Sequence, residues 1–246
     1  MNLYEKEKAA RKAAFRAMTT AQKLDHIYTY YKGPILLALA VLIAAGSFLH
    51  RKLSEKEPVL YLAQVNVSAG ADLERDLTGA YLLSLGADPA RQEVFLYRDL
   101  YLSDNADTLN HEYAYASRMK LMGVIQSQKL DVVVMNREAY DIFSRNGYLA
   151  DLTDLPALSD PAYAALLASL LVENDVVLSD NSLEFLLGEA DEKEQVTQSV
   201  PNALAAASLP LFQRAGFDGD IYLGVVANSP RLEAAAAWLR FVSSSP

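Results

Sequence analysis

Three histidines and no cysteine leave little nucleophilic or metal-binding chemistry to place in this chain of 246 residues. His26 and His50 flank an apolar run and His111 stands alone in the remainder, so neither a Ser-His-Asp relay nor a histidine pair at metal-ligand spacing can be assembled. Asp99, Asp104, Asn105 and Asp107 lie within nine residues and supply the oxygen ligands that calcium favours. The spacing departs from an EF-hand loop, with Ala106 at a ligand position and no central glycine, and a solvated loop is the competing reading. Glu189, Asp191, Glu192 and Glu194 read as a solvated face. Ser68-Ala69-Gly70-Ala71 matches neither GxGxxG nor GxxxxGK[ST], so no phosphate loop is expected. With no set of nucleophile, base and electrophile in view, the sequence predicts a protein that is not an enzyme and holds no metal or cofactor.

Position remains where motif is lacking. The run from Val59 to Val67 is apolar and β-prone, Ala71 to Leu85 places Leu73, Leu77, Ala80, Tyr81 and Leu85 on one helical face, and Gly86 supplies a left-handed stop. A second strand near Glu93 to Tyr97 precedes a polar loop. A helix over about Thr108 to Ser127 follows, with Tyr115, Met119, Met122 and Ile125 among its apolar positions. Leu130 to Met135 is a continuous apolar strand of the kind buried inside a parallel sheet. Asn136 then caps a helix that runs through Phe143 and stops at Asn146-Gly147. Three strand-helix units in succession predict an α/β fold with a doubly wound, mainly parallel sheet. In such a sheet ligands bind beyond the carboxyl ends of the strands. Those ends carry Asn66 and Ser68, then Ser103, Asp104 and Asn105, then Asn136 and Arg137, which are the candidate ligand-binding residues. Each has a plainer alternative, Asn136 and Ser103 as helix caps and Ser68 as a turn residue.

Beyond Asp151 the pattern predicts a helix near Ala162 to Leu171, a strand at Asp175 to Leu178, a short segment Ser182 to Leu187 and a helical stretch Ala203 to Ala215 interrupted by Pro210. Asp218-Gly219-Asp220 turns into a strand, Ile221 to Ala227. Pro230 to Val242 forms a closing amphipathic helix around the one tryptophan, Trp238.

The formal charge of -9 excludes a chain that binds nucleic acid along its whole length. That charge divides unevenly. Met1 to Lys52 holds nine Lys or Arg and three acids, a net +6, and the rest is -15. Between the two lies GPILLALAVLIAAGSFL, Gly33 to Leu49, about 25 Å long as a helix and without charge. A membrane span is the favoured reading, taken as residues 33–50, with a basic juxtamembrane helix at 1–32, a linker at 51–58 and an extracytoplasmic domain at 59–246. A cleaved signal peptide and a buried core helix compete, but some 32 residues precede the core and the core is longer than a signal peptide needs. Seven basic residues precede the span and three closely follow it, which predicts a cytoplasmic N-terminus. Thr19-Thr20-Ala21-Gln22 fits a capping box, and Leu24, Ile27, Tyr28 and Tyr31 share one helical face. The helix they predict either lies on anionic headgroups or is simply solvated.

Three stretches carry a family resemblance. Lys129 to Met135 with Ala139-Tyr140 and Asn146 to Leu152 resembles a strand-helix-glycine-Asp-Leu segment of type 2 extracytoplasmic solute-binding proteins, and Tyr222 to Pro230 followed by Ala234 to Phe241 resembles their late strand and closing helix. Tyr30-Tyr31-Lys32 running into the span is similar to uncharacterised membrane-anchored proteins of Gram-positive bacteria with such an outer part. The resemblance covers about half of the outer domain. It implies a binding-protein lobe, with 155–220 as a second lobe too short, at 66 residues, for a full clamshell.

Two functions follow as expectations. One is a single-pass, membrane-anchored binding module that captures or senses a small polar ligand outside the cell. The other is a non-catalytic structural or interaction subunit that docks an envelope or membrane protein. The partners expected are the lipid bilayer and either that ligand or that protein.

Overall fold

The computed structural model describes residues 3–105, 110–155, 158, 161–187, 192, 194–217 and 219–245. Asp107, Glu189, Asp191 and Asp218 lie outside them, as do the side chains of His26, His50 and the Tyr30-Tyr31 pair. The chain divides into two compact units, Met1–Glu55 and Lys56–Pro246.

The first unit is two helices, α1 (Leu3–Ala17) and α2 (Thr20–Ser54). The capping box forms as its residue types require, with the Thr19 amide donating to Gln22 Oε1 at 3.0 Å and the Gln22 amide to Thr19 Oγ1 at 3.4 Å. α2 continues without a break through Pro34 into the apolar run. Lys32–Leu49 has a mean hydropathy of 2.0 and none of it is buried, so one helix is long and apolar enough to cross a membrane. Because α2 reaches Ser54 and the first strand starts at Glu57, the linker shrinks to two residues.

The second unit is a six-stranded sheet built from β1 (Glu57–Val65), β2 (Gln92–Leu100), β3 (Val132–Met135), β4 (Leu171–Asp180), β5 (Gln195–Ala205) and β6 (Tyr222–Val225), in the order β2-β1-β3-β6-β5-β4. β1 pairs in parallel with β2 and β3, as the strand-helix-strand succession requires. The remaining three pairings, β3 with β6, β6 with β5 and β5 with β4, are antiparallel. The expectation of a mainly parallel, doubly wound sheet therefore holds for three strands only. After the third helix of that series the chain forms a β4–β5 hairpin on the same sheet, and hairpin closure dictates antiparallel pairing.

Both faces of the sheet are covered. On one, Leu60, Leu62, Val132 and Val134 meet α3 (Ala71–Arg75), α4 (Tyr81–Ser84), α7 (Pro161–Leu170), α9 (Pro210–Arg214) and α10 (Leu232–Ser244). On the other, Ala63, Val65, Val133 and Met135 meet α5 (His111–Gln126) and α6 (Arg137–Arg145). Alternate residues of β1 and β3 thus serve opposite cores, which is why these strands read as unbroken apolar runs.

Several local expectations shift for physical reasons. A π-turn at Asp76–Ala80 separates α3 from α4, and its extra residue turns Leu82 into the core and leaves Leu85 half exposed. The Leu77 carbonyl within that turn accepts the Trp238 indole N–H at 2.8 Å. On α5 the buried stripe is Ala114, Ser117, Leu121 and Ile125, while Tyr115, Met119 and Met122 are exposed. Both stripes have helical spacing, and small side chains let the helix approach the sheet closely. The helix expected over Ala203 to Ala215 is instead the end of β5 followed by α9, with Pro210 in the first helical turn, where its missing N–H costs nothing.

Candidate functional site

The candidate residues beyond the strand ends are mostly absorbed by the fold. Asn66 adopts φ 56° and clamps Leu102, its Nδ2 donating to the Leu102 carbonyl at 2.6 Å and its Oδ1 accepting the Leu102 amide at 2.7 Å. Asn136 accepts the Ala139 amide at 3.0 Å as the cap of α6. Ser103 Oγ donates to Glu138 at 2.6 Å and accepts the Asn105 amide at 3.1 Å. Asp104 takes the Arg118 guanidinium at 2.7 Å and lies 3.9 Å from Arg145. Ser68 is exposed. Ser103 is therefore drawn to α6 and Asp104 chiefly to α5, while Asn66 and Ser68 stay with β1.

Arg137 belongs to a different arrangement. With Asp141 and Arg145 it forms an i, i+4, i+8 stripe along α6, and facing that stripe across a groove of about 560 Å³ are Asn174, Asp175, Val177 and Asp180 of β4 and Gln195 and Thr197 of β5. The two walls are fastened beneath the groove. β5 has a register irregularity at Asn202, which turns its side chain toward α6, where it accepts the Tyr140 hydroxyl at 2.8 Å and donates to Ser144 Oγ at 2.8 Å. Ser144 Oγ also donates to the Asp175 carbonyl at 3.1 Å. Asn202, Tyr140 and Ser144 have no exposed surface, so this network is a fixed hinge pin of the groove.

Arg137 itself is held from several sides. Its Nε lies 3.0 Å from Asp141, its Nη1 donates to the Tyr222 hydroxyl at 3.4 Å, and its guanidinium lies 5.7 Å from the rings of both Tyr140 and Tyr222. Those rings stack at 4.6 Å. The Tyr222 hydrogen bond, ahead of the Asp141 carboxylate, pushes the Arg137 pKa up, and burial pushes the Tyr140 phenol up against the opposing charge of Arg137. Asn174 Nδ2 donates to Asp141 at 2.8 Å, so Asp141 is shared between the two walls.

A groove with two guanidinium groups and carboxylates on both walls suits a small solute carrying charges of both signs. Its lining contains no imidazole or thiol, and among the described residues no group of three acidic or histidine side chains could hold a metal ion. Of the seven candidate residues only Arg137 lines the groove. The Arg-x₃-Asp-x₃-Arg spacing on α6 was the available signal for Asp141 and Arg145. Residues from β4 and β5 carried none, because only the hairpin register brings them opposite α6.

Compared with known proteins, the chain matches no protein family, and no curated protein or solved structure is significantly similar to it.

Proposed function

We propose that this chain is a single-pass, membrane-anchored binding module whose acidic C-terminal unit lies outside the cell and takes a small zwitterionic solute between α6 and the β4–β5 hairpin. The carrying observation is the polar groove, with Arg137 held by Asp141 and Tyr222 before any ligand arrives. Preorganised charge of this kind lowers the ordering cost of binding. The apolar helix Lys32–Leu49 supports the anchor, the excess of basic residues before it supports a cytoplasmic N-terminus, and the motif resemblance to extracytoplasmic solute-binding proteins points to the same class of ligand.

The test is a thermal-shift and calorimetric screen of the full-length chain in lipid nanodiscs against amino acids, sugars, short peptides and inorganic anions. A zwitterion should stabilise the protein, and Arg137→Ala with Arg145→Ala should abolish that stabilisation. No response to any of these solutes would sink the reading.

A second reading, an interaction subunit of a membrane or envelope complex, has its own observation. The hairpin and α8 (Ser182–Leu187) expose Leu178, Leu186, Leu187 and Val196, and α5 exposes Tyr115, Met119 and Met122. Specific recovery of one envelope protein with full-length chain, lost when Leu186 and Leu187 become serine, would favour this reading over the first.

A further inference from the structure

A second groove lies on the opposite face of the sheet, between the end of α4, the turn at Leu152–Asp154 and the first half of α10. Its volume is about 840 Å³, within the range of small-molecule sites. Leu85, Leu232 and Ala237 give it apolar walls. Tyr81 forms the buried floor, its hydroxyl donating to the Ala234 carbonyl at 3.1 Å and its ring packed 5.5 Å from Phe241.

Charge decides what fits there. Asp154 and Glu233 line the groove, both are exposed, and neither carboxylate makes a hydrogen bond or ion pair among the described residues. Glu233 sits in the first turn of α10, where the helix dipole already favours an acid. No such reason applies to Asp154, which closes a three-residue turn. Arg240 also lines the groove, with its guanidinium 5.9 Å over the Tyr163 ring. With Asp154 and Glu233 set against Arg240, the lining carries a net charge of -1.

We infer that this groove binds an amphipathic cation, a molecule with an apolar body that lies on Leu85, Leu232 and Ala237 and a protonated amine that pairs with Asp154 and Glu233. The site is distinct from the α6 groove, shares no residue with it and does not depend on it.

The probes are 4-phenylbutylamine and 4-phenylbutyric acid, which have the same apolar body and opposite charge, titrated calorimetrically into the full-length chain in nanodiscs with empty nanodiscs subtracted. The amine should bind saturably and at least about tenfold more tightly than the acid, and Asp154→Asn combined with Glu233→Gln should remove that preference. Ala237→Leu, which leaves both carboxylates in place and narrows the groove, should weaken amine binding, and Arg137→Ala should leave it unchanged. Equal binding of the two probes, retention of the preference in the neutral double variant, or no saturable amine binding would each overturn the inference. Should the double variant unfold, Asp154→Asn alone is the deciding variant, with the same expected direction.

Discussion

The Asp131 carboxylate, which has no exposed surface, is 2.8 Å from Arg231 Nε, a residue one hundred positions further along the chain. The same carboxylate accepts the Tyr61 amide at 2.7 Å and the Ser229 hydroxyl at 2.6 Å. Arg231 in turn donates to the Gln128 carbonyl at 2.6 Å and lies 4.7 Å over the Tyr61 ring. One side chain therefore ties β1, the entry to β3 and the turn between β6 and α10, all at the end of the sheet opposite the strand ends where ligand residues were sought.

Removing that carboxylate strands a guanidinium, a hydroxyl and a backbone amide together. Asp131→Ala should lower unfolding free energy by about 3–5 kcal/mol. Denaturant unfolding measures it, and a loss below about 1 kcal/mol would show that the clamp is redundant. Arg231→Ala should cost less, because its side chain is 28% exposed and water can replace it in part.

Asn202 pins the hairpin to α6. Asn202→Ala removes the Tyr140 hydroxyl's 2.8 Å acceptor and the donor to Ser144 Oγ, leaving them the Val172 carbonyl at 3.4 Å and the Asp175 carbonyl at 3.1 Å, and should cost about 1–2 kcal/mol. Hydrogen exchange should show faster exchange in β4 and β5 with β1 and β3 unaffected. Uniform acceleration across the sheet would contradict a local role.

Tyr140 adds a pH dependence. Burial raises its pKa in the folded state above the ordinary phenol value of about 10, so the neutral phenol is the stabilised form. Its contribution is then fully present below pH about 10 and falls as pH rises beyond it, because the unfolded chain ionises first. Thermal melts between pH 9 and about 11 should show a steeper decline for the natural protein than for Tyr140→Phe. Parallel declines would mean that this phenol is not protected in the fold.

Asn66 combines a left-handed backbone with a clamp on a buried neighbour. Asn66→Ala meets both penalties and should cost about 2–3 kcal/mol, whereas Asn66→Gly relieves the backbone and should cost about 1 kcal/mol less. If glycine restored the full stability, the clamp on Leu102 would carry no weight, and chemical denaturation of the two variants decides it.

Much of the local structure was legible because it rests on short-range rules. The capping box at Thr19, the left-handed stops at Gly86 and Gly147, the Asn136 cap and the apolar runs of β1 and β3 follow from neighbouring residue types. What failed locally failed where two patterns competed. On α5 two apolar stripes at helical spacing competed, and the one carrying Leu121 and Ile125 packs while Tyr115, Met119 and Met122 are exposed; near Pro210 an Ala-rich strand end mimicked a helix.

From residue types and spacing alone came the uncharged helix, the basic arm before it, the acidic remainder and the three strand-helix units, all properties that a few tens of consecutive residues impose. Tertiary structure decided the rest. The strand order β2-β1-β3-β6-β5-β4, the burial of Asp131 against Arg231 and the meeting of Arg137 with Asn174 across a groove depend on pairings between residues far apart in sequence. No periodicity records such pairings, because chain closure and side-chain packing choose them only once the whole sheet is assembled.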